Sequence, residues 1–343
     1  MYRDSPLERE WASLAVRPAI GVVGLGGAGS EAVQDLLALG IPGVRALAVN
    51  TDAGHLLRTG VEERILIGHR ELRGRGSGGD RSLVLRAAEE GKEELLRRIE
   101  GCEIVFLLAG LGGGTGSALL PFLTRALRKS STLAVPVVFL PFQVELDSNE
   151  TRRDNVEATV AELEEMGGLL VVLANEKLRR FETLPIQRVF HVRNAYLHSL
   201  VASLVDIVEY PSQLNVDLAS LKSHLRDSGL STLLVGECHF SEPDRLVAQA
   251  LADSLLDYHL SDRPTALVHI DGGSNLSLFT LDRVLQEMGE RLHNPARLVF
   301  GTRVHPEFRE VVRLTAVVGG LKSRTVREAL TTTADVTRPI FVH

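Results

Sequence analysis

Residues 109–123 read AGLGGGTGSALLPFL, and the stretch before them, CEIVFLLAG (102–110), is an apolar run of strand length. Five glycines fall between Gly110 and Gly116, and an apolar helical pattern follows. A tight turn needs one or two glycines. A longer run suits a loop whose backbone N–H groups approach an oxygen-rich ligand closely, at the positive end of a helix. Thr115 and Ser117 can add hydroxyl donors. No lysine stands in the G-K-[ST] position, so this is not a Walker A loop, and backbone must do most of the cradling.

Outward from this loop, strand-like and helix-like segments alternate. AIGVVG (19–24), VRALAVN (44–50), RILIG (64–68), STLAVPVVFL (131–140) and GLLVVLA (168–174) read as further strands. SEAVQDLLALG, the segment 80–99, SALLPFLTRALRK and 150–166 carry the 3.6-residue period between them. That alternation predicts parallel βαβ units with helices on both faces, and a ligand at the carboxyl ends of the strands. Segment 186–210 is too long for a crossover and predicts a central connecting helix. Beyond it STLLVGE, TALVHI, RLVFGTRV and VVRLTAVVGG, with two helical segments, predict a smaller second α/β domain.

The chain has 343 residues and a net charge of −6, which argues against a general nucleic-acid binder. No run has the ~20 apolar residues of a membrane span, and the first residues lack the order of a signal peptide. Cys102 and Cys238 stand far apart, so neither a disulfide framework nor a zinc site is expected. A cytoplasmic protein is the default.

Two more glycine loops follow strands. GVVGLGGAGSEAV sets Gly24, Gly26 and Gly29 in G-x-G-x-x-G register, and RGRGSGGDRS (73–82) follows the third strand. The first loop alone fits a dinucleotide fold. The acid such a fold wants after its second strand is Asn50 here, with Asp52 two positions on. Three loops at successive strand ends suit one triphosphate better than one pyrophosphate.

GLGGGTGS resembles the GGGTGTG signature of the tubulin/FtsZ family, and the order of the other segments is similar. GLGGAGS resembles that family's first nucleotide loop, NTDAGHL (50–56) its NTDAxxL segment, and RGSGGD (75–80) its γ-phosphate loop. PFQVE (141–145) resembles the ribose loop, ANEKL (174–178) the NxKL strand end, and NVDLASL (215–221) the loop after the central helix. HIDGGSNLSLFTLDRVLQEM and ARLVFGTRV resemble its C-terminal domain. The resemblance covers roughly 18–322 and is closer to the prokaryotic FtsZ branch, archaeal relatives included, than to tubulins.

It implies an α/β fold with a parallel-sheet GTP-binding domain (18–185) after an N-terminal extension (1–17). A central helix (186–210), a catalytic-type loop and helix (211–228), a smaller α/β C-terminal domain (229–325) and a short tail (326–343) follow. It implies a GTP/GDP site, with Mg2+ arriving on the nucleotide. Gly112, Gly113, Gly114, Thr115 and Gly116 then meet the α- and β-phosphates, with Gly26, Gly27 and Gly29 as the first phosphate loop. Ser30 replaces the usual asparagine there. Ser77, Gly78 and Gly79 are the γ-phosphate loop, and Asp52 and Asn175 join the site from their segments. Glu145 is the ribose acid, and Arg152 falls on the arginine that reaches the nucleotide. Phe190 and Asn194 are the base-stacking ring and the base-reading amide, and their i,i+4 spacing puts both on one helix face. Without the resemblance, Phe190 reads as a core residue of an apolar helix.

One departure bears on chemistry. In the family the loop NxDxx[D/E] of one subunit enters the next subunit's site and positions the attacking water. Asn215 and Asp217 match, but Ser220 stands at the second acid. Loss of a water-positioning group costs ~10²–10⁴ in rate. Three readings stay open: a filament-forming GTPase of weak hydrolysis, a non-hydrolysing GTP-binding subunit that copolymerises with or modulates a true FtsZ, and a nicotinamide oxidoreductase. The last leaves GGGTGS and NVDLAS unexplained. The chain stops soon after the second domain, without the linker and terminal peptide of the FtsZ branch, so membrane attachment is expected through another protein or the extension.

Overall fold

Every residue from Ile104 to Ala109 is buried in the strand that leads into the glycine loop, as expected of a parallel strand covered on both faces. The computed structural model describes residues 19–41, 43–209, 217–293 and 297–331. Its strands are β1 (Ala19–Leu25), β2 (Val44–Asn50), β3 (Glu63–Leu66), β4 (Cys102–Gly110), β5 (Leu133–Leu140), β6 (Leu170–Ala174), β7 (Leu230–His239), β8 (His259–Gly272), β9 (Arg297–Val304) and β10 (Val311–Lys322). They form one ten-stranded sheet in the order β3-β2-β1-β4-β5-β6-β7-β10-β8-β9. Pairing is parallel from β3 to β7, and β10 runs antiparallel to β7 and β8.

The helices are α1 (Gly26–Leu39), α2 (Ala53–Arg58), α3 (Arg81–Glu90), α4 (Lys92–Arg98), α5 (Gly114–Leu127), α6 (Gln143–Asp147), α7 (Glu150–Met166), α8 (Ile186–Glu209), α9 (Leu218–Arg226), α10 (Asp244–Ala252), α11 (Leu278–Arg291) and α12 (Arg324–Thr331). A 3₁₀ turn covers Asn175–Phe181. Segment 80–99 reads as one helix by period, yet it breaks at Gly91, which closes α3 and opens α4.

The two-residue strand period divides the core. Ile20, Val22, Ile104, Phe106 and Leu108 face one side, where α1, α8 and α9 supply Val33, Leu197, Leu204 and Leu221. Val23, Leu25, Val105, Leu107 and Ala109 face the other, against Val84 of α3, Leu119 of α5 and Val160 of α7. A third cluster, including Leu234, Ile270, Val284 and Leu314, fills the second domain. Its sheet continues that of the first domain through only two residue pairs, Leu170 with Leu230 and Val171 with Ser231.

Helix α8 is 24 residues long, about 36 Å at 1.5 Å per residue. It runs from the carboxyl ends of the strands towards the opposite edge. There α9 is held by Lys222, which pairs with Glu103 at the start of β4 and donates to the Ser131 carbonyl just before β5 (3.0 Å). The N-terminal extension, Asn215 and the tail beyond Thr331 lie outside the described residues. Among the described residues, no helix is long and apolar enough to cross a membrane, and both cysteines are free.

Candidate nucleotide site

Helices α1 and α5 start directly from the ends of β1 and β4, side by side. Neither start carries a side-chain cap or an acid in its first turn, whereas α2, α3 and α7 are capped by Asp52, Asp80 and Asn149. The first N–H groups of a helix have no partner within it, and the dipole adds positive potential. Two uncapped starts aimed at one cleft are an anion-binding arrangement.

The cleft between them has a volume of about 290 Å³ and is walled by Gly26, Gly27 and Gly113–Gly116, with Glu145, Arg152 and Asn175 opposite. Phe190 and Arg193 close one end. There it adjoins a second cleft of about 570 Å³, which shares Glu31, Phe190 and Arg193 and reaches Asn194 and Asp35. The first is lined largely by glycine backbone, as a phosphate site would be. The second offers the ring and amide that suit a base.

The glycines of the loops do different jobs. A Cβ on Gly113 would have no protein atom within 4 Å, so the space beside it belongs to the cleft. A Cβ on Gly114 would lie 2.9 Å from the Gly79 carbonyl carbon, and closer still to Ser77 Oγ. The Ser77–Gly79 loop therefore backs onto the phosphate loop at Gly114 and does not itself wall the cleft. Gly29 packs on the Leu108 carbonyl, and Gly112 stands behind Arg152.

Several residues expected at the ligand brace the loops instead. Ser30 is fully buried and its hydroxyl donates to the Gly26 carbonyl at 2.8 Å. The Gly112 N–H donates to Ser117 Oγ at 2.9 Å, so that N–H is not free for phosphate. Asp52 accepts from the His55 N–H and caps α2 without lining either cleft. Asn50 turns its Oδ1 onto the Thr51 and Asp52 N–H groups, so β2 does not end in the ribose acid of a dinucleotide fold.

Glu145 and Arg152 meet as a pair, Nη1 to Oε2 at 2.5 Å, and Glu145 Oε1 accepts from the Phe142 N–H. Both residues line the cleft. Asn194 is 2% exposed: one Nδ2 hydrogen goes to Asp35 Oδ2 at 2.6 Å and its Oδ1 accepts from Arg193, which leaves the second Nδ2 hydrogen for a ligand in the cleft it lines.

Sequence reasoning missed Arg193, Asp35, Glu31 and Asn155. Arg193 is 4% exposed, stacks its guanidinium 4.0 Å from the Phe139 ring centroid, and donates to Asn175 and Asn194. Burial pulls its pKa down to about 10, with Glu31 and Asp35 opposing, so it stays charged near neutrality. Its position beside Asn194 was the available signal. Asn155 lies one turn after Arg152 and donates through Nδ2 to the Gly79 and Gly112 carbonyls, tying two loops together. Asn155→Ala leaves two carbonyls without that donor and is expected to cost about 1–3 kcal/mol of stability. Thermal unfolding with and without GTP checks it, and nucleotide should protect the variant less than the wild type.

Asp217 and Ser220 are at the other end of the strands. Asp217 caps α9, accepting from the Ser220 N–H (2.8 Å) and hydroxyl (2.6 Å). Those bonds hold the Asp217 carboxyl below its ordinary pKa. Helix α9 packs at the amino ends of β4 and β5, while the cleft lies at their carboxyl ends. A nine-residue strand is about 30 Å long, so Asp217 does not reach the cleft of its own chain.

The fold and cleft define a nucleotide-binding α/β protein of the parallel-sheet class. Residues 19–183 match the GTPase-domain model of the tubulin/FtsZ family, and 229–322 match the FtsZ C-terminal domain. The chain is 35% identical over 306 residues to the cell division protein FtsZ of Haloferax mediterranei, covering 89% of this chain and 80% of that one. It is 32% identical to its namesake from Methanothermobacter thermautotrophicus, over 93% and 84% of the two chains. A solved FtsZ dimer from M. jannaschii superposes with a TM-score of 0.80 at 32% identity, covering 93% of this chain and 97% of that one. CetZ2 from Haloferax volcanii, solved as a GTPγS-bound protofilament, shares the fold at TM-score 0.77 and 22% identity. The chain belongs to the tubulin/FtsZ family.

Proposed function

We propose that this protein binds GTP in the double cleft and assembles head to tail, as a cytoskeletal or cell-division filament subunit whose hydrolysis is weak. The observation that carries this is the placement of Asp217 at the amino ends of the strands, opposite the cleft at their carboxyl ends. A single chain has a nucleotide site without a water-positioning acid. A second copy stacked along α8 brings its own Asp217 to that site. The relatives named cell division proteins, and the protofilament of CetZ2, support the same reading.

The residues present fit the nucleotide. The N–H groups at the starts of α1 and α5 hold phosphates, Glu145 with Arg152 takes the ribose side, and Phe190 with Asn194 takes the base. Mg2+ comes with the phosphates and its own waters, since Glu145 is already paired. The Ser220 hydroxyl carries no charge and occupies Asp217 Oδ2, so two changes weaken water activation together. The same contact favours a second reading, a GTP-binding subunit that copolymerises with or modulates an active FtsZ.

Chromatography of nucleotide released on denaturation tests the ligand: guanine nucleotide is expected, and a nicotinamide cofactor would overturn the assignment. Asn194→Ala is expected to lower the preference for GTP over ATP about three- to tenfold, the worth of one buried hydrogen bond. Competition titrations of both nucleotides read this, and an unchanged ratio would mean the base is read elsewhere.

A further inference from the structure

Far from the nucleotide cleft, α8 meets the second domain through a half-buried polar cluster that the GTP reading does not use. Asp206 comes from α8, Asp271 from β8, and His305 from the residue after β9. One donor atom of each lies within 4.8 Å of the others, the one such group of three among the described residues. His305 Nε2 is 3.1 Å from Asp271 Oδ1 and 3.5 Å from Asp206 Oδ2. Donors sharing a metal at 2.0–2.2 Å are separated by about 3.0–3.5 Å.

Each donor is aimed by a neighbour. Arg303 pairs with Asp206 Oδ1, the oxygen turned away from His305. His269, 2% exposed, sits 3.1 Å from Asp271 Oδ1 and 3.9 Å from Asp206 Oδ2. Glu307 lies 3.4 Å from His305 Nδ1, which leaves Nε2 directed at the carboxylates. A carboxylate behind the far nitrogen is the usual support of a metal-binding histidine. His269 and His305 both bond Asp271 Oδ1, which holds the three donors together at that spacing.

The geometry points to a binding site for one divalent transition-metal ion of the zinc and cobalt type, held by Asp206, Asp271 and His305. Mixed imidazole and carboxylate donors favour such ions over Ca2+ or Mg2+, which prefer all-oxygen sites. Water completes the coordination from the partly open His305 side. Occupied, the site pins the central helix to the second domain.

The test uses the full chain stripped of metal with chelator and freed of nucleotide, with Co2+ as the probe. One equivalent is expected to give a saturable visible absorption band that Zn2+ abolishes. Zn2+ should also raise the unfolding temperature, because it binds the folded state alone. His305→Ala is expected to remove the band. Glu307→Gln, at an exposed position that does not threaten folding, should weaken Co2+ binding about ten- to a hundredfold. Absence of a one-equivalent band in the wild type would overturn the site, and so would unchanged Co2+ affinity in Glu307→Gln. Should His305→Ala fail to fold, Glu307→Gln decides alone.

Discussion

Gly114→Val is expected to abolish GTP binding, with affinity falling about 10²–10⁴-fold. A Cβ at this position meets the Gly79 carbonyl carbon at 2.9 Å and the Asp80 nitrogen at 3.1 Å. Both are backbone atoms, so no side-chain rotation relieves the contact, and valine adds two methyl groups. The phosphate loop and the Ser77–Gly79 loop must separate. Two backbone hydrogen bonds to phosphate then go, at about 1.5–3 kcal/mol each for a charged acceptor, which gives the stated factor. Gly113→Ala is the companion variant. Its methyl meets no protein atom, and Gly113 has φ −79° and ψ 158°, which alanine adopts freely. Its unfolding temperature should match the wild type while its GTP affinity falls. Titration of a fluorescent GTP analogue measures both variants, and wild-type affinity in either would remove the loop assignment.

Ser220→Asp is expected to raise GTP turnover about 10²-fold, the lower end of what a water-positioning group contributes. Two effects act together. The new carboxylate supplies the second acid of the NxDxx[D/E] loop. It also replaces the hydroxyl that now donates to Asp217 Oδ2 at 2.6 Å, and repulsion between the carboxylates frees that oxygen to face a neighbouring subunit. An acid in the first turn of α9 also suits the helix dipole, so folding is not endangered. Phosphate release at saturating GTP measures the effect. An unchanged rate would show that Ser220 does not limit the chemistry.

How much of this was readable beforehand differs from residue to residue. Strand β9 and helix α7 have the boundaries read from the sequence, 297–304 and 150–166; Asn149 caps the start of α7 and Gly167, at positive φ, ends it. The short helices α2 and α6 carry too few residues for a period to show. The join between β6 and β7 rests on two residue pairs sixty positions apart, which no local pattern encodes.

The site divides similarly. Motifs located the loops, and Phe190, Glu145 and Arg152 do line the cleft. Motifs did not tell which loop groups are left over for a ligand. The N–H of Gly112 is consumed by Ser117, the Ser30 hydroxyl by Gly26, and one N–H and the carbonyl oxygen of the Asn194 amide by Asp35 and Arg193. Such internal partnerships depend on the tertiary approach of segments that spacing alone does not fix. Arg193 and Asn155 escaped notice for the same reason.

The central claim is that hydrolysis needs two copies of this chain, one offering the cleft and the next offering Asp217. The most direct measurement is phosphate release per subunit from GTP by the Ser220→Asp protein across a wide range of concentrations, with wild type alongside. A threshold, followed by a steep rise in rate per subunit, is predicted for the variant, with wild type near background throughout. A rate per subunit that stays constant down to high dilution would mean that one chain completes its own site, and would contradict the account.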